Sequence, residues 1–161
     1  MRVNRFLPHV LVLPEDDADR QLANGFLLEP SLSARSIQVL PEAGGCRKVL
    51  EAFNSEHVRG MEKFRNRYMI LLIDFDGHPD RRLADLKAEI PEGLTNRVFI
   101  VGALTRPEEL TAGLGNYETI GKAAARDCHE GTDTTWGHAL LKHNAAEVER
   151  LRQHVRPILF P

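Results

Sequence analysis

Two groups of carboxylates stand directly behind apolar runs. His9-Val10-Leu11-Val12-Leu13 leads into Pro14-Glu15-Asp16-Asp17-Ala18-Asp19, and Met69-Ile70-Leu71-Leu72-Ile73 leads into Asp74-Phe75-Asp76-Gly77. A carboxylate at the mouth of a buried strand must be solvated, paired or bound to a cation. If both runs are parallel strands, their carboxyl ends share one edge of the sheet and the clusters meet in one crevice. Oxygen donors of this kind suit Mg²⁺ or Mn²⁺, and one or two such ions serve phosphoryl transfer. Asp74 and Asp76 are expected to hold metal, with Glu15 as a further ligand or a mover of protons. Glu15 and Asp19, four residues apart, share a helix face if a helix begins after Pro14. The same cluster also fits plain capping, since acids favour the first turn of a helix.

These residues need a scaffold. Near-continuous apolar runs at 9–13, 36–40, 69–74 and 97–102 read as strands covered on both faces. Between them, 16–28 carries Ala18, Leu22, Ala23 and Phe26 at helical spacing, and 44–53 carries Val49, Leu50 and Phe53. A third helix starts near Asp80, holds Leu83, Leu86 and Ile90, and stops before Pro91. Thr105-Arg106-Pro107-Glu108 has the spacing of a capping box. Residues 136–155 carry Leu140, Leu141, Ala145, Val148, Leu151 and Val155 on one face, which predicts a long amphipathic helix near the C-terminus. Residues 128–135 read as a mobile loop.

The alternation of strand and helix predicts an α/β fold: a mainly parallel sheet of about four strands flanked by helices. One domain is expected over 1–161, with its core at about 9–115 and a helical extension at about 116–161. Gly44-Gly45 precedes a helix, where backbone N–H groups can approach a phosphate, although a tight turn is the plainer explanation. Lys142 and His143 offer a cation and a proton donor for a phosphate, or else a solvated helix face.

A net charge of -2 gives no global attraction to nucleic acid or anionic membrane, so a nucleic-acid partner needs a local basic patch or a bridging metal. No run is long enough to span a membrane, and residues 1–8 lack the apolar core of a secretory signal, so the expected compartment is the cytoplasm. The two cysteines, Cys46 and Cys128, read as reduced thiols there.

The order of motifs resembles the Toprim domain, the catalytic module of topoisomerases, bacterial primases and small ribosomal-RNA maturases. The nearest likeness is to nucleases of the overcoming-lysogenization-defect type. Glu15-Asp16-Asp17-Ala18-Asp19 stands where those nucleases have Glu-Gly-x-x-Glu, with Asp16 replacing the glycine and Asp19 the second glutamate. Gly44-Gly45 matches the glycines after the second strand, and Asp74-Phe75-Asp76 the Asp-x-Asp metal motif. The resemblance implies a Mg²⁺- or Mn²⁺-dependent nuclease acting on DNA or RNA. It also implies that Glu108 or Glu109, with Asp19, completes a second metal site, although both glutamates equally suit the first turn of a capped helix. A protein partner or a homodimer is compatible with this reading.

Two other readings stay open. Glu15-Asp16-Asp17, Asp74 and Thr105 are also similar to the acidic pair, phosphoacceptor and threonine of a response-regulator receiver domain. That fold needs a lysine closing a fifth strand, and 113–135 offers no convincing one despite Lys122. A Toprim-like binding or regulatory subunit without catalysis is the other.

Overall fold

The computed structural model describes residues 2–161. Four strands, β1 (His9–Pro14), β2 (Ile37–Val39), β3 (Arg67–Leu72) and β4 (Val98–Val101), form one all-parallel sheet in the order β2-β1-β3-β4. The chain leaves β1 toward β2 on one side and builds β3 and β4 on the other. The switch in direction therefore falls between β1 and β3, and the carboxyl ends of these two strands are where such sheets characteristically bind ligands.

Strand alternation sorts the core into two layers. Leu11, Leu13, Met69, Leu71 and Ile73 pack with α2 (Cys46–Ala52), α3 (Val58–Lys63) and α4 (Pro79–Ala88). Val10, Val12, Ile70, Phe99 and Val101 face α1 (Asp17–Phe26), α7 (Ala145–His154) and α8 (Arg156–Leu159). A turn of π-helix, Phe53–His57, joins α2 to α3, so the helical path runs on well past the expected end at 53.

The helix expected over 136–155 is shorter. Turns occupy its first part, a 3-10 turn covers Lys142–Asn144, and only Ala145–His154 is α-helix. A longer helix precedes this region: α6 (Tyr117–Glu130), capped by the Asn116 side chain on the Thr119 N–H and ended by Gly131 in the left-handed region. It crosses α1 closely: a Cβ on Gly121 would lie 2.1 Å from Leu22 O, and one on Gly25 2.5 Å from Glu118 O. Residues 128–135 are not loosely held. Buried Asp127 accepts from Thr132 Oγ1 and from the N–H groups of Thr135 and Trp136 at 2.7, 2.6 and 3.1 Å.

The capping box is also not made. Arg106 is the N-cap of α5 (Pro107–Leu114) without a side-chain bond, and Thr105 Oγ1 donates to Glu109 Oε2 at 2.6 Å.

The outer edge of β4 is closed by side chains from the C-terminal segment rather than by a fifth strand. Glu147 accepts the Ile100 N–H at 3.0 Å, and Asn144 accepts the Gly102 N–H at 3.1 Å and donates to Gly102 O at 2.9 Å. Such pairing removes the exposed edge that an unpaired strand would present.

Candidate metal centre

The switch point receives its carboxylates through strand geometry. β3 continues in extended form past Leu72, with the N–H groups of Ile73 and Phe75 donating to Val101 O and Ala103 O. The intervening Asp74 N–H therefore faces β1, where no backbone carbonyl is left to meet it. Glu15 supplies the acceptor: its Oε2 takes the Asp74 N–H at 2.7 Å, while its own N–H donates to Leu72 O at 2.8 Å. Glu15 thus closes the seam where the two strands part, with Oε1 left over.

Side-chain alternation then aims Asp74. Ile73 and Phe75 belong to the layer under α2–α4, so Asp74 points to the opposite layer, toward the first turn of α1. Asp19 comes from that turn. Glu15, Asp19 and Asp74 each present an oxygen, and the three lie within 4.8 Å of one another.

Their environment is unfavourable to unpaired charge. Asp19 is 0 % exposed and neither of its oxygens has a hydrogen-bond partner; Asp74 is 6 % exposed and its Oδ1 is likewise unpartnered. Burial, then the neighbouring Asp74 charge, pushes the Asp19 carboxyl up to about 11. Burial, together with Glu15 and Asp16, pushes Asp74 to about 7 despite its contact with Asp19. Glu15 is raised too, by burial, partly offset by the Asp74 N–H. Two buried carboxylates with no donor between them require a shared proton or a cation. Mg²⁺ fits the donor set, since it takes a few carboxylates and leaves its other positions to water and phosphate.

The remaining acids separate cleanly. Asp16, not a residue following Pro14 directly, caps α1 by accepting the Asp19 N–H at 2.9 Å. Asp17 binds Arg20 and, at 2.7 Å, Gln21. Capping thus accounts for Asp16 and the Arg20 and Gln21 contacts for Asp17, whereas Glu15 and Asp19 belong to the cluster with Asp74. Asp16→Ala is expected to cost about 1 kcal/mol of stability without lowering the number of metal ions bound. Denaturant unfolding and a metal titration on that variant check both halves.

Asp76 does not join the triad. Its φ of 49° breaks the alternation that would have set it beside Asp74, and its carboxylate pairs with Arg82 of α4 at 3.1 Å. Glu109 is engaged by Thr105, and exposed Glu108 reaches the centre only through its field, which helps to raise Asp74. Gly44 and Gly45 are brought close: the Gly44 N–H donates to Glu15 O at 2.8 Å, and Gly45 precedes α2. Lys142 is exposed and forms no ion pair among the described residues; its neighbour His143 turns inward, its Nε2 2.8 Å from Gly102 O and its ring edge-on to Phe75.

Comparisons with protein-family models, with curated proteins and with solved structures returned no match. The centre therefore rests on its own geometry.

Three further neighbours stand near the centre. Arg82 donates to Asp74 O at 2.7 Å. Tyr117 opens α6 beside the cluster, its phenol raised by partial burial and by the charges of Glu108, Asp16 and Asp19. Lys48 lies next to the glycine turn, its Nζ 3.8 Å from where a Cβ on Gly44 would sit. Arg82 and Tyr117 reach the centre only through tertiary packing, but a lysine three residues after paired glycines was visible.

Proposed function

We propose that this protein is a Mg²⁺-dependent phosphoryl-transfer enzyme, a nuclease acting on DNA or RNA, with Glu15, Asp19 and Asp74 as its metal ligands. The observation that carries this reading is buried Asp19: both of its oxygens lack partners and it lies within 4.8 Å of an oxygen of Asp74 and of Glu15 at the switch point. A Mg²⁺ ion held there would polarise a phosphoryl oxygen and lower the pKa of a bound water. Glu15 orients the Asp74 backbone and keeps a free oxygen for a ligand or a proton. Lys48 and Arg82 supply positive charge to a phosphate backbone at an otherwise acidic edge. The order of motifs, with Gly44-Gly45 against the Glu15 backbone, supports the likeness to Toprim nucleases. Asp76, taken up by Arg82, departs from it.

The receiver-like reading of Asp74 as a phosphoacceptor has less support, because Asp74 is buried and Glu147 and Asn144 occupy the edge where a fifth strand would pair. No described helix is long and apolar enough to cross a membrane. Free Cys46 and Cys128 suit a reducing compartment such as the cytoplasm.

The test is incubation of labelled single- and double-stranded DNA and RNA with the protein and Mg²⁺ or Mn²⁺. Cleavage that chelation stops, and that Asp74→Asn abolishes, is the expected result. Cleavage that survives Asp74→Asn contradicts the assignment. No cleavage of any polymer removes the nuclease reading.

A further inference from the structure

The acidic edge already contains a cation, and it belongs to the chain. Arg82 stands on α4, with its side chain 29 % exposed; its Nη1 donates to Asp74 O at 2.7 Å and pairs with Asp76 Oδ2 at 3.1 Å. The carboxylate that Asp-x-Asp spacing would offer to a second ion is therefore already neutralised. Its geometry is fixed as well. Asp76 holds a φ of 49°, a region costly for a residue with a Cβ, while the Gly77 N–H donates to Leu104 O at 2.7 Å and the Arg82 pair fixes the carboxylate.

The other acids offer a second ion little. Glu109 is held by Thr105, and Glu108 is exposed and reaches the centre only through its field. At this edge the buried acidic oxygens without partners belong to Asp19 and Asp74, which with Glu15 make a ligand set for one ion. Two ions clamping a phosphoryl group sit about 3.5–4 Å apart and need ligands on both sides of the bridge. Here Asp76, the acid nearest in sequence to serve that side, is paired with a guanidinium.

Building on the phosphoryl-transfer reading, we infer that the centre takes a single divalent cation and that Arg82 stands in for the second. Its Nε and Nη2 hydrogens have no partner among the described residues. They leave a planar donor fork for the non-bridging oxygens of a phosphate, a match that a lysine would not reproduce.

Counting bound Mn²⁺ by calorimetry and by electron paramagnetic resonance tests this on wild type, Arg82→Met and Asp76→Asn, with circular dichroism to confirm folding. Expected are one ion per chain in wild type, one in Asp76→Asn, and two in Arg82→Met, where Asp76 is released. Two ions in wild type, falling to one in Asp76→Asn, overturn the inference and leave the phosphoryl-transfer reading intact. One ion in a folded Arg82→Met overturns the claim that Arg82 stands where a second ion would bind. No ion in wild type removes both the inference and the reading it rests on. If Arg82→Met fails to fold, the wild-type and Asp76→Asn counts still decide whether the centre takes one ion, and Arg82→Gln is counted in its place for the role of Arg82.

Discussion

Asp19→Asn is expected to stabilise the metal-free protein by about 2–4 kcal/mol near neutral pH and to remove its stabilisation by Mg²⁺. Folding takes Asp19 out of water with no donor for either oxygen, so the carboxyl must hold a proton that the unfolded chain releases. An amide keeps the shape, needs no proton and supplies a donor toward Asp74. It is also a poorer ligand than a carboxylate. Stability and metal response should therefore move in opposite directions, which a purely structural aspartate would not do. Denaturant unfolding with and without Mg²⁺ checks both; a variant that is destabilised yet still responds to Mg²⁺ contradicts the prediction.

The same carboxyls fix a pH dependence. Asp19 and Asp74 hold protons in the folded state at pH values where the unfolded chain, with aspartates near 3.8, has released them. Metal-free stability is fully present below that value and declines as pH rises, with the Asp74 contribution lost by about 7. Metal affinity rises over the same range, because the cation replaces protons. Thermal unfolding in chelator, from mildly acid to mildly alkaline pH, should fall along this slope, and adding Mg²⁺ should flatten it. A metal-free curve that is level or rises over this range contradicts the assigned shifts.

Glu147→Ala is the second large effect, and it concerns the frame rather than the chemistry. Glu147 is 2 % exposed; it accepts from Lys87 at 2.6 Å, from Arg150 at 2.9 and 3.0 Å and from the Ile100 N–H at 3.0 Å. Its removal leaves an edge N–H of β4 without an acceptor and two cations without their counterion, at a cost of about 3–5 kcal/mol. The melting temperature should fall on the order of 10 °C. Here the pH sign reverses. Burial alone would raise Glu147, but Lys87, the Ile100 N–H and Arg150 outweigh it and hold it low. Its contribution is present above the unfolded value of 4.5 and is lost as pH falls through the depressed folded value. A loss below about 1 kcal/mol in Glu147→Ala would show that the edge is closed by other means.

The sheet was legible because each strand is a short apolar run and the helices between them carry clear apolar faces. The parallel order followed from that alternation. What failed did so for identifiable reasons. Leu140 and Leu141 continue the apolar spacing of α7, but the chain there turns to bring Asn144 and Glu147 to the β4 edge, a demand invisible in local periodicity. The face of α6 is built from alanine and glycine against α1, so its apolar signal is faint. At the centre, Glu15 and Asp74 could be named as candidates from strand ends, and Asp19 from its place one helical turn after Glu15. Asp76 could not be placed, because its left-handed backbone reverses the direction that a two-residue repeat implies. Asp16 and Asp17 could not be separated from Glu15 and Asp19 without knowing which residue caps α1.

Thermal unfolding of the wild type with Mg²⁺ or Mn²⁺, beside Asp74→Ala and Glu15→Ala, tests the central claim most directly. Metal-dependent stabilisation of the wild type that both substitutions abolish is the predicted result. No metal response in the wild type, or an equal response in the two variants, would contradict a divalent-cation centre at Glu15, Asp19 and Asp74.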